Sequence, residues 1–155
     1  MTGTVVGTVV GMVIGTAGLA GTVIAVACVV VHRHLVVVTV EGPSMQPTLR
    51  HGDRVLVRRT GLRTVRTGQL VVFQRPEWTG SADGAPARWL IKRVAAVAGE
   101  PVPEAVSGMV GHRRVPDRRL VVLGDNPARS GDSRHWGYVA EDRFLGVVLR
   151  TMSRS

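Results

Sequence analysis

The sequence predicts a mostly β domain of antiparallel sheets preceded by one N-terminal transmembrane helix. Three observations lead there. Residues 1–31 carry no charged side chain, so every side-chain charge of the 155-residue chain falls after them. Beyond residue 34 the apolar residues come in short β-branched runs broken by Gly, Pro, Asp and Asn. No stretch beyond residue 34 keeps a helical period over three turns.

Taken in order, the first element is the run from Val5 to Val31, built of Val, Ile, Ala, Leu, Gly and Thr with one Met and one Cys. As a helix it would be ~40 Å long at ~1.5 Å per residue, enough to cross a ~30 Å hydrocarbon core with some tilt. The expected organisation is therefore a single-pass anchor and flank over 1–34 and a β-rich domain over 35–155. Gly3, Gly7, Gly11 and Gly15 recur every fourth residue, a small-residue stripe against which a partner helix could dock. The plain alternative is that Gly is common here, with 19 in the chain. Ala25-Val26-Ala27 before Cys28 offers a rival reading, a cleaved secretory signal. Against it stand the length of the run and the absence of Lys or Arg before it. Arg33 and Arg50 flank the C-terminal side, and the positive-inside rule alone would place the domain in the cytoplasm.

Strands are expected at 35–40, 54–57, 69–73, 89–97, 119–123 and 144–149, each a run rich in Val, Ile or Leu. Residues 76–87, PEWTGSADGAPA, form a loop by composition. A single cysteine excludes an internal disulfide framework and a Cys-rich zinc site, and no metal or other cofactor is expected. The net charge of +9 admits nucleic acid or an anionic membrane as partner. With an apolar anchor where a DNA-reading helix pair would be needed, nucleic acid is set aside and anionic lipid kept.

The basic residues are uneven: 20 in all, of which only Lys92 is lysine. Arg stays protonated at any useful pH, whereas a desolvated Lys can act as a base. Lys92 sits among Leu90, Ile91 and Val94, so burial is open to it; the bland alternative is a strand-edge amine in water. Ser44 stands in Gly42-Pro43-Ser44-Met45-Gln46-Pro47-Thr48-Leu49, where two prolines stiffen an irregular turn. A serine becomes a good nucleophile only beside a base. None of the five histidines stands in an obvious Ser/His/Asp signature, and there is no Gly-x-Ser-x-Gly elbow. The segment Gly124-Asp125-Asn126 to Gly137 is polar and glycine-containing; unaided it reads as a turn-rich loop with Asp–Arg pairs.

Together these segments resemble the type I signal peptidases, membrane-anchored Ser/Lys endopeptidases. The likeness runs in order over about residues 1 to 149: an apolar anchor, Ser-Met-x-Pro-Thr-Leu (44–49), Gly-Asp-x-Val-x-Val (52–57), Lys-Arg-Val (92–94), and Gly-Asp-Asn-x-x-x-Ser-x-Asp-Ser-Arg-x-x-Gly (124–137). The resemblance implies a signal-peptidase-like β fold, Ser44 as nucleophile and Lys92 as general base. It implies that Ser130 hydrogen-bonds and aims the Lys92 amine. It further implies supporting ion pairs among Asp125, Asp132 and Arg134, with Arg93 the partner of Asp125, and Met45 in the substrate groove. The Ser44 backbone N–H is the oxyanion donor to name, because Gly42 stands where some members carry a serine. The Gly-Pro-Ser-Met form is also similar to the mitochondrial inner-membrane branch.

The chain departs from the family after Lys92, where Ala96, Ala98, Gly99 and Glu100 stand in place of the usual Gly-x-Pro-Gly-Asp; only Gly99 is kept. There is also no room for a large second β domain between Lys92 and Asp125. The expected function is removal of signal peptides from exported precursors at Ala-x-Ala-type sites, with the catalytic domain outside the cytoplasm. Alternatives are a dedicated maturation protease with few substrates, a self-cleaving repressor-type Ser/Lys protein, and an inactive membrane scaffold.

Overall fold

The computed structural model describes residues 34–74 and 89–152. The expected anchor, its glycine stripe and the 76–87 loop lie outside the described residues. Among the described residues no helix is long and apolar enough to cross a membrane. The chain divides into two units at His34/Leu35, and the second of them carries every strand among the described residues.

That unit is one seven-stranded, wholly antiparallel sheet. Its strands are β1 (Leu35–Thr39), β2 (Arg54–Arg59), β3 (Leu70–Gln74), β4 (Trp89–Val97), β5 (Arg119–Leu123), β6 (Val139–Ala140) and β7 (Phe144–Met152). They lie in the order β1-β2-β7-β3-β4-β5-β6, so the last strand in sequence inserts between β2 and β3. All six expected strands form. The short β6 adds to them, as do two single-turn helices, α1 (Glu104–Ser107) and α2 (Ser133–Trp136). Such pieces are too brief to carry a period of their own.

Burial explains the strand sequences. β3 lies between β7 and β4 and is covered on both faces: Val71 and Phe73 join one apolar cluster, and Val72 joins another on the opposite side. It therefore reads as an unbroken Leu-Val-Val-Phe run. β2, next to the edge, alternates instead, burying Val55 and Val57 and exposing Arg54, Arg58 and Arg59. The Phe73 ring is fully buried, and truncating such a side chain costs about 3–5 kcal/mol.

Two features position the site. β1 and β2 are joined by the Ser44 loop, which is tied back by Val40 N–H to Asp53 O (2.8 Å) and Gly52 N–H to Val40 O (2.9 Å). β4 carries Lys92 opposite Val71, just before a register shift between Val94 and Ala96. The turn after β4, where the sequence departs from the family pattern, closes through Glu100 N–H to Val97 O (3.0 Å), with Gly99 at φ +83°. The Glu100 carboxylate accepts the Val97 N–H at 3.0 Å and the Thr67 hydroxyl. The residue therefore caps the turn in this chain's own way, and the Thr67 bond holds its carboxyl below the usual range.

Candidate active site

The site forms where the β1–β2 loop, the middle of β4 and the loop after β5 converge. Met45 and Leu49, each 1% exposed, sink into the apolar cluster that also holds Val40 and Val55. They anchor a turn in which Leu49 N–H reaches Met45 O at 2.8 Å. Ser44, one residue before this anchor, is left half-buried at the groove.

Lys92 is 2% exposed, and its Nζ donates to Ser44 Oγ at 2.6 Å. Burial penalises the ammonium and pulls the amine down from 10.5 to about 8, although the negative charges of Asp132 and Asp125 pull the other way. A lysine so placed holds a useful fraction of free amine near neutrality. When it is deprotonated the hydrogen bond reverses, and the Ser44 hydroxyl points its proton at the nitrogen.

Behind the amine lies a buried polar cluster. Asp132, fully buried at the N-cap of α2, accepts Arg134 Nε (2.9 Å) and Nη2 (2.6 Å), Gly124 N–H (2.8 Å) and Ser130 Oγ–H (2.7 Å). Burial alone would raise its carboxyl; the Arg134 guanidinium, the Gly124 N–H and the Ser130 hydroxyl outweigh that and hold it at about 2. The resemblance implies a direct bond from Ser130 to the Lys92 amine, and here the structure differs. Ser130 gives its single proton to Asp132, the stronger acceptor because it is ionised. Among the described residues the Lys92 amine bonds to Ser44, and Ser130 meets it only through the charge of Asp132.

Arg93, next along β4, grips Asp125 with Nε to Oδ1 at 2.8 Å and Nη2 to Oδ2 at 2.6 Å, and reaches Gly68 O at 2.8 Å. The Arg93 hydrogen bonds hold the Asp125 carboxyl below its ordinary value against burial, with help from Thr48. The Thr48 hydroxyl donates to the same carboxylate, so the ion pair ties the serine loop to the lysine strand.

Several contributors were not singled out from sequence. Asn126 N–H holds Ser44 O at 3.0 Å, and its side-chain amide holds Pro43 O at 3.2 Å. His51 Nδ1 accepts the Gly42 N–H at 3.2 Å. The Ser133 hydroxyl accepts the Val122 N–H at 2.9 Å. Gly124 is required by space: a Cβ there would lie 2.0 Å from Ser130 Oγ and 2.7 Å from Ser44 O. All but His51 stand inside the motif segments 42–49 and 124–137, and that position was the available signal.

A groove of about 410 Å³ opens at the pair, lined by Ser44, Lys92, Met45, Ile91, Val40 and His51 among others. Met45 is thus both core and groove wall. Among the described residues no group of three His, Cys, Asp or Glu side chains is placed to hold a metal ion. A buried amine against a hydroxyl, with a groove before them, is equipped for nucleophilic attack by the serine with proton transfer to the lysine.

Comparison with known proteins points the same way. The model of the family described as "Signal peptidase, peptidase S26" matches residues 13–105 and 100–152. Probable signal peptidase I-1 of Synechocystis sp. is 30% identical, over 68% of this chain and 65% of that protein. Signal peptidase I V of Bacillus subtilis is 28% identical, over 84% of this chain and 94% of its own length. The mitochondrial ATP-independent inner membrane protease subunit 1a of Arabidopsis thaliana is 30% identical, over 77% of this chain and 72% of its own. The alignments with the first three curated relatives span 65%, 56% and 63% of their lengths.

Proposed function

The chain belongs to the signal peptidase S26 family, and on that premise we propose that it is a membrane-anchored serine endopeptidase that removes signal peptides from exported precursors. The observation that carries this reading is the 2.6 Å contact between the buried Lys92 amine and Ser44 Oγ. Ser44 attacks the scissile carbonyl while Lys92 takes its proton. Lys92 then protonates the departing amine, leaving an acyl-enzyme, and later takes a proton from the water that cleaves it. The Ser44 backbone N–H is the donor for the oxyanion, and Ser130 orients the base by fixing Asp132. The Arg93–Asp125 and Asp132–Arg134 pairs hold the two loops in register with β4.

Substrate binds extended, as an added strand beside β1, which lies at the sheet edge. The apolar walls at Met45 and Ile91 favour small side chains and hence Ala-x-Ala-type cuts. The anchor is residues 1–34, with the domain outside the cytoplasm against anionic lipid and the glycine face open to a partner helix. The orienting argument is that whole domains translocate despite a small charge bias such as that of Arg33 and Arg50.

The test is cleavage of a secreted precursor by the purified full-length protein, with the cut site sequenced. Cleavage after a small-x-small triplet, abolished in Ser44→Ala and in Lys92→Ala, is the expected result. Retained cleavage in either variant would sink the dyad.

A further inference from the structure

Asn126 meets the serine loop twice. Its main-chain N–H donates to Ser44 O at 3.0 Å, and its side-chain amide donates to Pro43 O at 3.2 Å. A carbonyl oxygen only accepts, so the nitrogen end of the amide must face Pro43. Those two oxygens belong to the peptide groups on either side of the Ser44 Cα, and one residue thus pins both planes. Asn126 is itself held in place. Asp125 before it is gripped by Arg93, and Pro127 after it keeps it out of the helical region, at φ −109° and ψ 89°. Gly124 lets this loop close on Ser44 O, where a Cβ would come to 2.7 Å. The Gly42 N–H is turned to His51 Nδ1 at 3.2 Å, whereas the Ser44 N–H has no acceptor among the described residues.

We propose that Asn126 is a positioning residue for the oxyanion: by holding Pro43 O and Ser44 O, it aims the Ser44 N–H at the oxygen that gains charge as the serine attacks. The inference rests on the peptidase reading and adds what sets the direction of its donor. In a planar trans peptide the N–H points opposite to the C=O, so fixing Pro43 O fixes the direction of the Ser44 N–H. Gln46 N–H, at 3.1 Å, takes the second lone pair of the same carbonyl. Each bond accepted there also polarises the peptide and makes its N–H a stronger donor, by roughly 10–30% per bond. The amide bonds to the loop and not to the reacting atoms. Its effect therefore belongs to the transition state, where the oxygen bears charge.

The experiment uses the full-length protein in nanodiscs, a precursor peptide with an Ala-x-Ala cut, and two analogues of its N-terminal part ending in an aldehyde or in the matching alcohol. In the aldehyde complex Ser44 Oγ adds to the carbonyl carbon, its proton passes to Lys92, and the π electron pair of the C=O moves to the oxygen facing the Ser44 N–H. The alcohol occupies the same groove without that charge. Asn126→Leu keeps the side-chain shape, adds no charge and removes the donor. It should lower kcat at least ~10-fold, short of the ~100-fold or more lost with an oxyanion donor outright, and leave KM within about two-fold. Its preference for aldehyde over alcohol should fall by the same factor as kcat. The midpoint of its pH profile should stay at the wild-type position, because the Ser44–Lys92 contact is untouched. Asn126→Ala should match it, which guards against a misfit of the Leu side chain. A kcat within about two-fold of wild type in both variants, or a rise in KM in place of the fall in kcat, would overturn the proposal. So would an unchanged aldehyde preference, a shifted pH midpoint, or loss of the cooperative urea transition in both variants. If wild type neither cleaves the peptide nor prefers the aldehyde, the peptidase reading fails and takes this proposal with it; an active wild type with unaffected variants sinks the positioning role alone.

Discussion

Replacing Lys92 by Met removes the one amine that the fold takes almost wholly out of water, and it should make the protein more stable. The native amine titrates at about 8 against 10.5 for the free side chain. That difference of roughly 2.5 units, at ~1.36 kcal/mol each, means that holding the protonated lysine in place costs about 3 kcal/mol below pH 8. The attraction of Asp132 and Asp125 is already contained in that net shift. Between about pH 8 and 10.5 the unfolded chain binds the extra proton and the folded one does not, so stability rises with pH across that window. Urea unfolding of the full-length protein, followed by the near-ultraviolet signal of its tryptophans, reads both effects. At pH 7 Lys92→Met should shift the midpoint upward by about 1–2 M for an m-value near 2 kcal/mol/M. The gap between the two proteins should shrink toward zero as the pH approaches 10.5. A Met variant less stable than wild type at pH 7, or a gap that does not change with pH, would refute the claim that desolvation governs this amine.

With Lys92 as the proposed base, kcat/KM should rise about tenfold per pH unit up to roughly 8 and then level, and a flat profile between pH 6 and 9 would speak against lysine in that role. Arg134→Ala strands a fully buried Asp132 carboxylate without its guanidinium and should cost about 3–5 kcal/mol in chemical unfolding. In wild type the Asp132 contribution is complete above the ordinary carboxylate value of 3.8 and is lost as pH falls through about 2. Acid unfolding should therefore be followed down to that range. Gly124→Ala forces a methyl against Ser130 Oγ and Ser44 O, and precursor cleavage by the full-length variant should fall at least ~10-fold while the β signature in circular dichroism persists.

What could be read from the sequence divides along a physical line. The strands were legible because burial imposes a local pattern: a strand covered on both faces, such as β3, must be apolar throughout, and β2 must alternate. The ion pairs were legible as well, because Arg93–Asp125 and Asp132–Arg134 stand inside family motifs. The path of the Ser130 proton was not legible. Motif order shows which residues meet, whereas a hydroxyl goes to the strongest acceptor in reach, and reach is set by the loop geometry that Gly124 permits. The contact that depends most on assembly joins Ser44 to Lys92, 48 residues apart, on a loop and a strand that do not pair with each other. It forms because Met45 and Leu49 bury one end while β3 and β5 flank the other. The apolar core thus sets both the spacing of the Ser44–Lys92 contact and the dryness that weakens the lysine's hold on its proton.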